Sequence, residues 1–363
     1  TVAWSPQRFA HDLSIRRTTG KVILGAGTGG RQSVSGNVAT VFGCSGFLGR
    51  YLVSKLARKG TQVIVPYRGE YDDIRHLKVT GDLGQVVPMR FDLRHSTSIA
   101  ECVRHSDIVY NLIGRDYDTK NFKLNDVQVT GARAIAEACM ENDVARLVHV
   151  SALNNSADSP SAFLRSKYAG EQAVREICPD ATIVRPATMF GHEDHFFNFI
   201  AGKNRGRIFV NNQEQRIRPV FVQDVALALE VMLKAESTIG GTYELYGQTT
   251  YGQIEELVYE LLLERKERLR LPKFAAQLIG RIQGMLPWPM PNEDNVIRMF
   301  LDDKPTKGAR TFADLYIEPA KVEDMALQFV RGYRSSVYYE RAPPETAQFR
   351  QPKPTGKVYH TIW

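Results

Sequence analysis

The most constraining stretch of the chain is Val38 to Leu56. A short apolar run, Val38–Phe42, leads into Gly43-Cys44-Ser45-Gly46-Phe47-Leu48-Gly49. Leu48, Leu52, Val53 and Leu56 then recur at helical spacing up to Gly60. Three glycines spaced by three, between a strand and a helix, meet specific steric needs. Gly43 allows the tight turn, Gly46 lets the backbone approach a pyrophosphate, and Gly49 lets helix pack on strand. The free amides and the dipole at the helix start favour an anion there. Gly43, Ser45, Gly46, Phe47, Leu48 and Gly49 are therefore the first candidate ligand-binding residues. A second cluster, Gly25-Ala26-Gly27-Thr28-Gly29-Gly30, spells G-x-G-x-x-G but has only four possible strand residues before it and a poor helix after it. The fingerprint has physical meaning only as a strand-to-helix turn, so this cluster reads as loop.

Strand and helix patterns alternate beyond the turn. Strands are expected at Val38–Phe42, Gln62–Pro66, Gln85–Phe91, Ile108–Ile113, Arg146–Ser151 and Thr182–Pro186, with a helix over Val127–Asn142. That alternation predicts an α/β fold: a doubly wound parallel sheet of the Rossmann type. After Gly191 the alternation weakens. Short strands are expected at Pro219–Val222 and Thr242–Tyr246, a helix at Tyr251–Lys266, and a more helical lobe over 267–330. The expected organisation is a basic, mostly irregular arm over 1–37 and a dinucleotide-binding domain over 38–190. A smaller substrate-type lobe over 191–339 interleaves with the sheet domain, and an extended proline-bearing tail covers 340–363.

Composition narrows the class. Hydrophobic content of 43% and charged content of 24% are those of a folded globular chain. No apolar run approaches the roughly 18 residues that span a bilayer. The first residue is Thr1, so removal of a preceding segment is expected, and the chain as it stands has no secretory h-region. The net charge of +7 suits acidic partners in general and by itself selects none of them. Cys44, Cys102, Cys139 and Cys178 lie far apart without a C-x-x-C pair, so they read as reduced thiols in or near the core. His192 and His195 beside Glu193 and Asp194 lack a further ligand set, and no metal site is expected.

The strand after the first helix ends Val63-Ile64-Val65-Pro66-Tyr67-Arg68. An acid at this place would hold the ribose 2′-hydroxyl of NAD; Arg68 instead pairs with a 2′-phosphate, with Arg50 close enough to assist. The preferred cofactor is thus NADPH (NADP).

The ordered series of motifs over Val38–Tyr333 resembles the extended short-chain dehydrogenases. It comprises Gly43-x-x-Gly46-x-x-Gly49, Asp92-Leu93, Asn111-Leu112-Ile113-Gly114, Ile183-Val184-Arg185-Pro186 followed by Gly191, and Val220-Phe221-Val222-Gln223-Asp224. The resemblance implies that Asp92 and Leu93 lie by the adenine, that Leu112, Ile113 and Gly114 run along the dinucleotide, and that Pro186 belongs to the same site. Residues 29–51, Gly81-Asp82-Leu83-Gly84-Gln85 and Asn111–Asp116 are similar to one branch of that family: the short-chain-dehydrogenase-like accessory subunits of mitochondrial respiratory complex I, the NADH:ubiquinone oxidoreductase. This implies a tightly held NADPH and a peripheral place on the matrix side of the mitochondrial inner membrane. The implied partners are other complex I subunits of the matrix arm and the membrane-proximal region near the quinone site, with contact to lipid headgroups and no nucleic acid.

Family enzymes carry a Tyr-x-x-x-Lys pair helped by a Ser or Thr, and the tyrosine exchanges a proton as hydride moves. Here the stretch is Phe163-Leu164-Arg165-Ser166-Lys167. Lys167 remains to hold the nicotinamide ribose and Ser151 stands at the helper position, but Phe163 has no proton to give. Tyr168 lies about 100° around the helix from Lys167 and should face elsewhere. The expectation is therefore a nucleotide-binding protein with no catalytic residue of its own. A free-standing NADP(H)-dependent reductase or epimerase, and a soluble NADP(H)-sensing regulator, are the competing readings. Finally, Arg265, Lys266, Arg268, Arg270 and Lys273 precede an apolar helical stripe of Phe274, Leu278, Ile279, Ile282, Met285 and Leu286, closed by Pro287-Trp288-Pro289-Met290-Pro291. Such a stripe either packs on its own domain or faces a membrane surface or neighbouring subunit over 265–291.

Overall fold

The computed structural model describes residues 12–15, 22–27, 30, 32–202, 208–209, 215–248, 254–263, 269–270, 273–283 and 292–334. Thr28, Gly29, Arg31, the cluster Arg265, Lys266 and Arg268, the stretch 284–291 and the tail 340–363 lie outside them.

The strands are β1 (Asp12–Ile15), β2 (Val22–Gly25), β3 (Val38–Phe42), β4 (Gln62–Tyr67), β5 (Val86–Arg90), β6 (Ile108–Asn111), β7 (Arg146–Val150), β8 (Thr182–Pro186), β9 (Met189–Phe190), β10 (Ile208–Phe209), β11 (Val220–Phe221), β12 (Thr242–Leu245) and β13 (Leu269–Arg270). The α-helices are α1 (Phe47–Arg58), α2 (Asp72–Lys78), α3 (Ser96–Val103), α4 (Gly131–Glu141), α5 (Ala162–Ile177), α6 (Phe196–Ala201), α7 (Val222–Met232), α8 (Ile254–Leu262), α9 (Lys273–Gln283), α10 (Glu293–Arg298) and α11 (Val322–Val330).

Seven strands form one parallel sheet in the order β12-β8-β7-β6-β3-β4-β5. The chain leaves β3 toward β4 and β5, then returns to the other side of β3 to lay down β6, β7 and β8. The strand order therefore reverses between β3 and β6, which is where sheets of this kind open a crevice at their carboxyl ends. The buried runs Val38–Phe42, Ile108–Asn111 and Arg146–Val150 are covered on both faces, as parallel strands require. On one face Leu52, Leu56, Val225 and Leu229 of α1 and α7 join the larger core. On the other, Ile99, Val103, Ile135, Cys139 and Val174 of α3, α4 and α5 form the second. Cys44, Cys102 and Cys139 are buried, and all four thiols are free.

The structure corrects several expectations. The arm is not simply irregular: β1 and β2 pair antiparallel from Asp12↔Gly25 to Ile15↔Val22, strands too short to reveal a period. Gly25 ends β2, and Gly27 and Gly30 take φ of +97° and +107°; the rest of the second glycine cluster, Thr28 and Gly29, lies outside the described residues. The segment beyond is tied to the end of α1, where Ser35 N donates to Gly60 O and Ser35 Oγ to Thr61 Oγ1, both at 3.0 Å. The helix expected over Val127–Asn142 opens as a π turn, Asp126–Thr130, before α4 begins at Gly131. The expected strand at Pro219–Val222 is only β11, because Val222 already starts α7. β12, far beyond residue 190 in sequence, is an edge strand of the main sheet beside β8. Among the described residues no helix is long and apolar enough to cross a membrane.

Candidate nucleotide-binding site

The glycine turn sits at the carboxyl end of β3. Gly43 has φ of +81°, and a Cβ there would lie 3.0 Å from the Leu112 backbone that follows β6. Gly46 N donates to Gly43 O at 3.1 Å, closing the turn. A Cβ at Gly49 would meet Gly43 O at 2.2 Å, so α1 can start against the turn only without a side chain. The turn opens into a cleft of about 480 Å³. Gly43, Gly46, Phe47, Leu48, Gly49, Leu112, Gly114, Ser151, Lys167 and Pro186, all expected contacts, line it together. This volume, beside a turn of three closely packed glycines, fits an extended dinucleotide.

The other six expected residues stand along the same sheet edge without lining that cleft. Ser45 O accepts from Arg50 Nε at 3.1 Å, and Arg50 Nη1 lies 3.7 Å from Glu193. Asp92 Oδ1 accepts from Arg94 N at 3.0 Å. Leu93 packs so tightly on the start of α4 that a Cβ at Gly131 would come within 2.7 Å of it. Ile113 packs against the second core, while its N–H donates to Asn111 Oδ1 at 3.1 Å. Arg68, just past β4, is exposed and holds its guanidinium carbon 5.5 Å from the centre of the Phe122 ring. Arg94 reaches the same ring at 4.3 Å.

At the far end of the cleft, α5 carries Lys167 into the interior. Its Nζ donates to Val150 O at 3.2 Å and would lie 3.0 Å from a Cβ at Gly114, so glycine there leaves room for the ammonium group. Burial pushes the Lys167 pKa down to about 8, and the Asp116 carboxylate opposes that shift. His149, on β7 beneath it, is pushed to about 3 by burial and then by the Lys167 charge, and stays neutral beside Asn111. Ser151 is buried; its Oγ accepts from Asn155 Nδ2 at 2.8 Å, and that amide also donates to Glu171 at 2.6 Å. Phe163 lines the cleft one helical turn before Lys167, and Tyr168 is not among the lining residues.

Several cleft residues had no motif to reveal them. Arg298, at the end of α10, lays its guanidinium 4.4 Å over the Phe163 ring. Asp116 and Asp294 flank it at 3.7 and 3.6 Å, and Asn295 Oδ1 accepts from it. Asp294 also caps α5, accepting from Ala162 N at 2.7 Å and Ser161 Oγ at 2.8 Å. Asn154 donates to Asp303 Oδ1 at 3.1 Å and accepts from Lys304 N at 2.8 Å, pinning the segment after α10 to the loop after β7. Arg298, Leu301 and Asp303, from α10 and the segment after it, thus line the cleft together with Phe163 and Lys167. The only sequence hint is Asn154 itself, at φ of +62°, a conformation that asparagine tolerates.

Residues 39–245 match the NAD dependent epimerase/dehydratase family. The chain is 45% identical to the mitochondrial NADH-ubiquinone oxidoreductase 40 kDa subunit of Neurospora crassa, over 95% of this chain and 92% of the relative. It is 38% identical to the mitochondrial NADH dehydrogenase (ubiquinone) 1 alpha subcomplex subunit 9 of Rattus norvegicus, over 93% of this chain and 92% of the relative. Its fold resembles that of the Citrobacter sp. triphenylmethane reductase complexed with NADP(H), with a TM-score of 0.62 at 16% identity, covering 80% of this chain and 99% of that one.

Proposed function

The chain belongs to the NAD dependent epimerase/dehydratase family and, within it, to the family of the mitochondrial complex I 40 kDa subunits, and from that premise we propose that it is a non-catalytic accessory subunit of complex I. In this reading it holds a structural NADPH and supports the matrix arm near the quinone site, peripheral on the matrix side of the inner membrane. One observation carries the non-catalytic part: the cleft keeps the glycine turn and buried Lys167, while position 163 holds a phenylalanine capped by Arg298. Loss of a general acid typically removes a factor of about 10² to 10⁴ in rate, whereas the binding groups are untouched. When bound, NADPH would supply hydride chemistry; in this chain its role is to be held. The Gly43–Gly49 turn takes the pyrophosphate, Lys167 the nicotinamide ribose, and Arg68 the 2′-phosphate.

The preference for NADPH is supported by Arg68, where an acid would select NAD. The partner surface is supported by α9. Phe274, Leu278 and Ile282, one face of that helix, are 74%, 58% and 59% exposed. Lys273 opens the helix and the basic cluster precedes it, an arrangement that suits lipid headgroups or the membrane-proximal subunits.

The reading is tested by purifying the respiratory complex that carries the tagged chain, denaturing it and identifying the released nucleotide by mass. The expected result is co-purification with membrane subunits and release of NADPH, strongly reduced in Arg68→Asp. Purification as a soluble protein that turns over an acceptor would replace this reading by that of a free-standing reductase.

A further inference from the structure

We propose that Arg94 and Phe122 complete, with Arg68, a two-arginine clamp for the 2′-phosphate, and that Arg94 shares with Arg68 the discrimination between phosphorylated and unphosphorylated dinucleotide. The inference rests on the NADPH reading above and deepens it.

The adenosine end of the sheet edge is where β4 and β5 run side by side, with Tyr67 opposite Arg90 and Phe91 N donating to Tyr67 O at 3.0 Å. Arg68 and Arg94 leave these neighbouring strand ends and converge on one ring: their guanidinium carbons lie 5.5 and 4.3 Å from the centre of Phe122. The ring is held in place by a tight turn in which Thr119 N donates to Phe122 O at 2.9 Å and Phe122 N to Thr119 Oγ1 at 3.2 Å. Arg94 is further fixed by one bond from its Nη2 to Asn121 O at 2.8 Å, which leaves its other donors free to turn outward.

The charge balance makes this more than a surface stack. Among the described residues, neither arginine has an ion-pair partner. Acids of the same segments are used on backbone amides: Asp92 Oδ1 accepts from Arg94 N, Asp118 Oδ1 from Leu124 N and Asp126 Oδ2 from Lys123 N. Two guanidinium groups held within 5.5 and 4.3 Å of one ring centre repel each other, and an anion bound to both relieves that repulsion. A phosphate monoester carries nearly two charges and three acceptor oxygens, and two planar guanidinium forks match that geometry better than one. Phe122 holds both guanidinium groups against its ring before the ligand arrives, which lowers the ordering cost of binding. A nucleotide with a free 2′-hydroxyl gains nothing from the second arginine.

The test uses the full-length chain freed of nucleotide and titrated separately with NADPH and NADH. Arg94→Met should weaken NADPH binding about tenfold or more, about 1.4 kcal/mol, and leave NADH binding within about twofold. Phe122→Leu should lower the same preference by a smaller factor, and Arg94→Lys should restore part of it. The unfolding temperature of nucleotide-free Arg94→Met should match that of the parent chain. If Arg94→Met weakens NADPH and NADH equally, or weakens neither while Arg68→Met weakens NADPH alone, Arg94 has no part in phosphate recognition and the clamp is overturned. If the unaltered chain binds both nucleotides alike, or neither, the NADPH reading itself falls, whatever the variants do.

Discussion

Lys167 shows how far one residue carries the nucleotide reading. Burial holds its pKa near 8, so the free protein loses this charge just above neutrality. A ribose and phosphates beside the ammonium group favour its protonated form. Below pH 8 the free protein already carries the proton, and affinity should be flat. Above pH 8 binding must take up a proton, and affinity should fall by up to about tenfold per pH unit. Titrations at pH 7, 8 and 9 check this, with Lys167→Met expected to bind weakly and without the dependence. An affinity unchanged from pH 7 to 9 would remove Lys167 from the binding site. The glycines and Lys167 were legible in the sequence because each answers a requirement of the local chain: a turn, a close approach, a helical spacing. Arg298 was not, because its partner Phe163 lies on a helix from another part of the fold and no local pattern records the pairing. Arg68 was legible from its place after β4, whereas Arg94 gains meaning only once Phe122 is brought to it.

At the level of elements, the motif Ile183-Val184-Arg185-Pro186 marks β8 in the sequence but does not say what Arg185 does. In the structure it binds Glu171 of α5 at 2.7 Å and Glu244 of β12 at 3.2 Å, and both carboxylates are 1% exposed. Glu244 also accepts from Thr306 N at 2.7 Å, so one buried charge cluster joins a helix, two strands and a loop. Removing the cation leaves buried Glu244 with Thr306 alone and buried Glu171 with Asn155 and, at 3.6 Å, Arg175. Arg185→Met should therefore cost about 3–5 kcal/mol, the range for breaking a buried pair on one side. Denaturant unfolding measures it, and a loss below about 1 kcal/mol would show that the carboxylates find other partners. Long periodic elements such as α1 matched their expected spans. The π turn before α4 did not announce itself, since it depends on α5 approaching so closely that a Cβ at Gly170 would lie 2.1 Å from Gln128 O.

For the whole molecule, the orientation of α9 decides what the smaller lobe presents to a neighbour. Gly280 packs on α10, where a Cβ would lie 3.1 Å from Glu293, and Arg281 pairs with Glu293 at 2.7 Å. Ala276 and Gly280, on the opposite side of the helix, are buried, so the face bearing Phe274, Leu278 and Ile282 is turned outward. Replacing these three residues by serine should leave the melting temperature nearly unchanged and weaken retention of the chain in the purified complex as salt or detergent rises. Retention equal to that of the unaltered chain would mean that this face meets nothing. The apolar spacing alone could not separate inward from outward packing, because a stripe looks the same whichever side the domain lies on. β12 is the last strand of the seven-stranded sheet to be made. The chain is synthesised from its amino terminus, and β8 is finished long before its outer neighbour exists. Throughout the interval from residue 187 to 241 the outer edge of β8 has no strand to take its amides and carbonyls. A nascent or truncated chain ending in that interval is thus adhesive by construction, and the molecule becomes safe to release only when its last sheet strand closes the row.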